Sequence, residues 1–133
     1  MNMTIEERKL DDITVLDLNG TFVLGGDADF KKRVETVITG GNRRLLINLA
    51  KVSYMDSSGL GELISGYTKM QRVSGQMKLF NLSKRLNQLL VITKLITVFE
   101  TFNSEADAVS SFTADAKPKV EVTSADGTGY SSS

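Results

Sequence analysis

The chain has 133 residues, 41% hydrophobic and 24% charged, with sixteen basic and sixteen acidic side chains that cancel. That length holds one domain with a hydrophobic core, and the zero net charge removes the electrostatic footprint by which nucleic-acid binders neutralise phosphates, so no nucleic-acid partner is expected. With no cysteine and no histidine, disulfides, thiolate or imidazole metal sites, cysteine nucleophiles and the Ser-His-Asp triad are excluded, and no metal or cofactor is expected.

Taken in chain order, Thr4 to Leu10 and Ile13 to Leu18 are two β-rich runs around the turn-prone pair Asp11-Asp12, which predicts a hairpin. A glycine-punctuated connection from Gly20 to Gly26 follows. Asp27 is placed to cap a helix whose apolar positions Phe30, Val34, Val37 and Ile38 share one face, ended by Gly40-Gly41. Leu45-Leu46-Ile47-Asn48-Leu49 is a short continuous apolar run, the mark of a strand covered on both faces. Ser57 to Ser74 carries Leu60, Leu63, Ile64, Tyr67 and Met70 at helical spacing, with Gly75 expected as a left-handed cap.

Met77 to Leu82 predicts another strand, and Ser83 opens a short helix with Leu86, Leu89 and Leu90 on one side. Val98 and Phe99 are expected to form a last short strand. Asn103 or Ser104 caps a final helix through Ala106, Ala108 and Val109 to Phe112. The domain is expected to occupy 1–112. Thr113 to Ser133, poor in apolar residues and carrying the only proline, Pro118, reads as a flexible tail. The alternation of strand and helix after the hairpin predicts an α/β sandwich with a mixed or mostly parallel sheet of about five strands and about four helices. The acidic N-terminus lacks a signal-peptide core, and no run approaches about 18 apolar residues, so neither export nor a membrane partner is expected and the expected compartment is the cytoplasm.

The segment Met55-Asp56-Ser57-Ser58-Gly59-Leu60-Gly61 lies where the strand Val52 to Met55 hands over to a helix. Its hydroxyls therefore stand at the positive end of a helix dipole among unpaired N–H groups, where a phosphate on Ser57 or Ser58 would be stabilised. The plainer reading is that Asp56, Ser57 and Ser58 cap the helix and that Gly59 and Gly61 allow a tight turn. Glu62 lies four residues after Ser58 rather than three, so the capping box is incomplete. Gly61 and Gly66 inside the helix each cost about 1 kcal/mol relative to alanine, which close approach of another backbone, from the domain's own sheet or from a docked partner, would explain.

These residues resemble the anti-sigma factor antagonists of bacteria, which are STAS domains. The resemblance covers roughly Thr4 to Phe112. It is carried by Val52-Ser53-Tyr54-Met55-Asp56-Ser57-Ser58-Gly59-Leu60-Gly61, with Leu46-Ile47-Asn48-Leu49 before it and Gly75-Gln76-Met77-Lys78-Leu79 and Leu89-Leu90-Val91-Ile92-Thr93-Lys94-Leu95 after it. The resemblance implies a STAS-type sandwich and a non-enzymatic protein. It implies as partner an anti-sigma factor that is also an ATP-dependent serine kinase: the unphosphorylated chain binds it and frees a sigma factor, and phosphate on Ser57 weakens that binding. It assigns Ser57 as phosphoacceptor and Asp56, Ser58, Gly59, Leu60 and Gly61 to the motif and partner contact, with Asp56 either orienting the acceptor hydroxyl or only capping.

Where many members of that family carry Gly-Glu-Leu/Ile-Asp, this chain has Gly20-Thr21-Phe22-Val23, which lacks two acidic groups at an edge that contacts the kinase; Asp27 and Asp29 come later in the chain. Thr21, Phe22 and Val23 are thus a candidate partner edge, with Phe22, Val23 and Leu24 either forming an apolar patch or folding back onto the core. Catalysis by Ser57 has no histidine or cysteine to support it, and Gly20 to Gly26 lacks the Gly-Lys-Ser/Thr ending of a nucleotide-binding loop. The competing reading is an interaction module of the same fold for another partner, a stress-signalling scaffold or a transport accessory subunit, without a phosphoswitch.

Overall fold

A computed structural model of the chain describes residues 3–25 and 27–116. Its elements are β1 (Thr4–Leu10), β2 (Ile13–Phe22), α1 (Asp27–Thr39), β3 (Arg44–Met55), α2 (Ser57–Arg72), β4 (Gln76–Phe80), α3 (Lys84–Ile92), a 3₁₀ turn (Leu95–Thr97), β5 (Thr101–Phe102) and α4 (Glu105–Ala116). The strands lie in chain order, β1-β2-β3-β4-β5, with β1 antiparallel to β2 and every later pair parallel. The expected mixed sheet of five strands with four helices is what forms.

Strand order explains the layers. Three successive right-handed crossovers stepping in one direction must place α1, α2 and α3 on the same face. The period-2 alternation of the strands then sorts the core. Leu16, Leu18, Leu45, Ile47, Leu49 and Leu79 pack with Phe30 and Val34 of α1, Leu63 of α2 and Leu86 of α3. Ile13, Val15, Leu46 and Phe80 point the other way, where Ala108 and Phe112 of α4 cover them. Full burial of each large apolar side chain contributes about 1.5–3 kcal/mol.

Polar groups under α4 are paired. Arg8 donates to both carboxylate oxygens of Asp17, at 2.6 and 3.0 Å, and to Glu105 at the start of α4, at 2.7 Å. Asn48 adds a donor to Asp17 at 2.9 Å. The Arg8 guanidinium, with Asn48 after it, holds the Asp17 carboxyl below the usual carboxylate range against the opposing effect of burial. Lys78, 1% exposed, reaches Glu100 at 3.0 Å and Ser111 at 2.9 Å, with its ammonium 4.5 Å from the centre of the Phe112 ring.

Several boundaries differ from expectation. β2 continues past Leu18 to Phe22, pairing Thr21 with Tyr54 and Phe22 with Met55, with register shifts after Asp17 and after Gly20. The runs Leu45–Leu49 and Val52–Met55 are one strand, β3, because β2 supplies a partner along its length. β4 stops at Phe80 instead of Leu82. The left-handed residue after α2 is Ser74, at φ 59°, not Gly75. Gly75 is required for space: a Cβ there would lie 2.8 Å from Met70 Cε and 2.9 Å from the Arg43 carbonyl oxygen. The last strand is Thr101–Phe102, whereas Val98 and Phe99 follow the 3₁₀ turn and Phe99 stacks edge-on against Tyr67 at 5.4 Å. Ser104 is the cap of α4, accepting the Asp107 N–H at 3.1 Å. That helix runs through Ala116, four residues past its expected end at Phe112; the rest of the expected tail, residues 117–133, lies outside the described residues.

Candidate functional site

The motif sits at the C-terminal end of β3, where the chain turns into α2. Asp56 is the N-cap, with extended backbone at φ −100° and ψ −173°. Its Oδ1 accepts the Ser58 N–H at 2.9 Å and the Gly59 N–H at 3.0 Å, satisfying two of the first-turn donors that have no intrahelical partner. Its Oδ2 accepts the Leu24 N–H at 3.2 Å, across from the β2–α1 loop. The Gly59, Leu24 and Ser58 N–H groups together hold the Asp56 carboxyl below the usual carboxylate range. The N–H groups expected to cradle a phosphate are therefore already engaged in part by Asp56.

A second tie fixes the turn from below. The Asp56 N–H donates to the Phe22 carbonyl oxygen at 3.2 Å, extending the β2–β3 pairing by one bond. Gly59 rests on that carbonyl: a Cβ at position 59 would run into the Phe22 oxygen and stand 2.9 Å from the Phe22 ring. Phe22 is itself fully buried, tilted against Phe30 with ring centres 5.1 Å apart.

The candidate residues thus divide. Ser57, the first residue of α2, is exposed, and Ser58 is half-buried beside it. Gly61 is exposed, with nothing within 4 Å of where its Cβ would be. Gly59 and Leu60, expected at the partner contact, are buried and shape the turn from inside. Phe22, expected at a partner edge, belongs to the core, while Thr21 and Val23 are half-buried. The apolar side chain that does stand out of this loop is Leu24, 75% exposed. Sequence reasoning offered Leu24, with Phe22 and Val23, either as an apolar patch or as folded back onto the core, and nothing in the sequence announces the bond that the Leu24 N–H donates to Asp56. Close approach of a backbone occurs at Gly59; Gly66 is approached by side chains, with Met77 Sδ and Phe30 Cε2 both 3.3 Å from where its Cβ would be.

Away from the motif, a polar cavity of about 340 Å³ opens over the β1-β2-β3 face between Thr4, Glu6, Arg8, Asp17, Asn19 and Lys51. Among the described residues, no group of three or more acidic side chains is placed to hold a metal ion, and no helix is long and apolar enough to cross a membrane.

An exposed serine on a capped helix terminus, behind a five-stranded mixed sheet with helices on both faces, agrees with a match of residues 4–108 to the STAS domain model. The anti-sigma-B factor antagonist of Listeria monocytogenes is 32% identical over 115 residues, 80% of this chain and 95% of that protein. The chain belongs to the STAS family of anti-sigma factor antagonists. Among solved STAS folds, an anti-sigma factor antagonist from Mycobacterium paratuberculosis superimposes with a TM-score of 0.75 at 18% identity, covering 82% of this chain and 92% of that one. The Bacillus cell fate determinant SpoIIAA in its phosphorylated form gives 0.67 at 20% identity, covering 82% and 99%. At those identities the superpositions speak for the fold alone.

Proposed function

We propose that this STAS domain works in the cytoplasm by reversible binding rather than by catalysis: unphosphorylated, it binds an anti-sigma factor that is also a serine kinase, and so frees a sigma factor. Phosphorylation of Ser57 ends that binding. The observation that carries the reading is the placement of Ser57, exposed at the start of α2 on a turn fixed from both sides by Asp56 and by Gly59 against Phe22. An acceptor hydroxyl held this way costs the kinase little ordering entropy.

In the transfer, Ser57 Oγ bonds to the γ-phosphorus of ATP, the bond from that phosphorus to the β–γ bridging oxygen breaks, ADP leaves, and the hydroxyl proton goes to a base on the kinase. The product carries about −1.5 to −2 charge at pH 7 in the middle of the contact surface. The missing acidic pair at Gly20-Thr21-Phe22-Val23 implies a kinase whose contacting edge is less basic than that of partners matched to Glu and Asp.

The test is to incubate the chain with candidate kinases and ATP, locate phosphate by mass spectrometry, and measure partner affinity for wild type, Ser57→Ala and Ser57→Asp. Phosphate on Ser57, with Ser57→Asp binding at least about tenfold more weakly than Ser57→Ala, is expected. No phosphate with any candidate, or equal binding by all three, would favour a STAS module serving another partner without a phosphoswitch.

A further inference from the structure

The carboxylate that caps α2 also holds the neighbouring loop, one oxygen to each. Oδ1 takes the Ser58 and Gly59 N–H groups and Oδ2 takes the Leu24 N–H. We propose that Asp56 is a latch: it presents Leu24 to the partner while Ser57 is unmodified, and phosphate on Ser57 displaces it, so that Leu24 leaves the binding surface. The inference rests on Ser57 being the phosphoacceptor.

Three features make the bond a latch rather than one contact among many. The loop is anchored immediately upstream, where Phe22 is fully buried and its carbonyl accepts the Asp56 N–H at 3.2 Å, so any displacement begins after residue 22. Leu24 is 75% exposed, so its side chain does little to hold the loop and its backbone bond to Asp56 does more. Gly25, at φ +100°, occupies a backbone region that a side chain would resist, so the direction in which the loop leaves Leu24 depends on glycine.

Phosphate acts on the latch in two ways. It carries about −1.5 to −2 charge on the residue next to Asp56, and its three acceptor oxygens compete for the same first-turn N–H groups. A carboxyl with the ordinary aspartate value of 3.8 is ionised near neutral pH, so Asp56 carries the charge that the phosphate repels. The carboxylate then turns away, and the Leu24 N–H loses its acceptor.

A single exposed leucine is ordinary on a protein surface. What sets Leu24 apart is that the motif's own carboxylate holds it, within a residue of the acceptor serine. The partner chemistry that fits is an apolar socket on the serine kinase beside its ATP site. Leu24 directly follows Val23, which with Thr21 marks the two positions that lack the family's acidic pair.

The experiment uses the full ¹⁵N-labelled chain in three forms: unmodified, with phosphoserine genetically encoded at position 57, and Asp56→Asn. The Asn side chain has one oxygen instead of two, and with that oxygen on the two first-turn N–H groups of α2 it turns its NH2, a donor, toward the Leu24 N–H. The Leu24 amide order parameter is expected to fall from about 0.85 to below about 0.6 in both altered forms, with Phe22 unchanged. Against the kinase, Leu24→Ala and Asp56→Asn are each expected to weaken binding by about tenfold, and the double variant no further. An unchanged Leu24 order parameter in the phosphoserine form overturns the latch even if affinity falls. Unchanged affinity of Leu24→Ala overturns the role of Leu24 in the contact. Affinity indifferent to phosphate at Ser57 would instead overturn the phosphoswitch itself, a separate failure.

Discussion

Gly59 and Gly61 stand two residues apart in one motif and answer to different constraints. A Cβ at Gly59 would enter the Phe22 carbonyl, which is held in turn by the Asp56 N–H. Neither backbone can give way without breaking the β2–α2 junction. Gly59→Ala is therefore expected to cost about 3 kcal/mol, read as a lowered denaturation midpoint. Gly61 faces open space, so Gly61→Ala is expected to stabilise the isolated domain by up to about 1 kcal/mol through helix propensity. It should also weaken partner binding if a partner backbone lies against that face. A stabilised Gly61→Ala that binds as wild type would leave the glycine without a functional reason. The sequence placed both glycines in the motif but could not separate them, since the difference lies in what packs above each one. It also left open whether Asp56 orients a hydroxyl or caps; the bonds it makes are to backbone N–H groups of α2 and of the loop.

At the scale of elements, most of the order was legible because hydrophobic period and cap chemistry are local. Phe30, Val34 and Val37 declared α1, and Ser83 declared α3, where its hydroxyl accepts the Leu86 N–H at 3.1 Å. Strand limits set by a partner strand were less legible. β5 is two residues long and exists because Leu79 and Phe80 pair with Thr101 and Phe102, while Phe99 is drawn to the helix layer and Val98 is left exposed. The Arg8–Asp17–Glu105 cluster joins β1, β2 and α4, and sequence reasoning missed it for the same reason. Its side chains are 24–39% exposed, which limits the pairing to about 1 kcal/mol. The Asp17 carboxyl titrates lower in the folded protein than its ordinary value of 3.8, so its contribution is complete at neutral pH and disappears as pH falls through the folded pKa. Asp17→Asn should lose about 1 kcal/mol at pH 7, and in denaturant titrations the gap from wild type should close as pH falls through the lowered Asp17 pKa. A gap that persists at low pH would mean that Asp17 acts through packing rather than charge.

On the proposed reading, the two faces of one sheet keep the Ser57 turn apart from the α4 core. The motif at the end of β3 is built into the layer of α1, α2 and α3, whereas α4 closes a smaller core of Ile13, Val15, Leu46, Phe80, Ala108 and Phe112 on the opposite face. Phe112 is fully buried there, with Lys78 over its ring. Its removal leaves a cavity and uncovers Lys78 at once. Phe112→Ala is expected to cost about 3–5 kcal/mol, a large share of the about 5–15 kcal/mol that holds a domain of this size together. Because β3 still pairs with β2 and β4, and Asp56 still caps α2, phosphorylation of Ser57 well below the lowered melting temperature should proceed at the wild-type rate. A rate that falls with Phe112→Ala while the chain remains folded by circular dichroism would show that the α4 face reaches the phosphoacceptor turn through the sheet, and the separation of the two faces would be wrong.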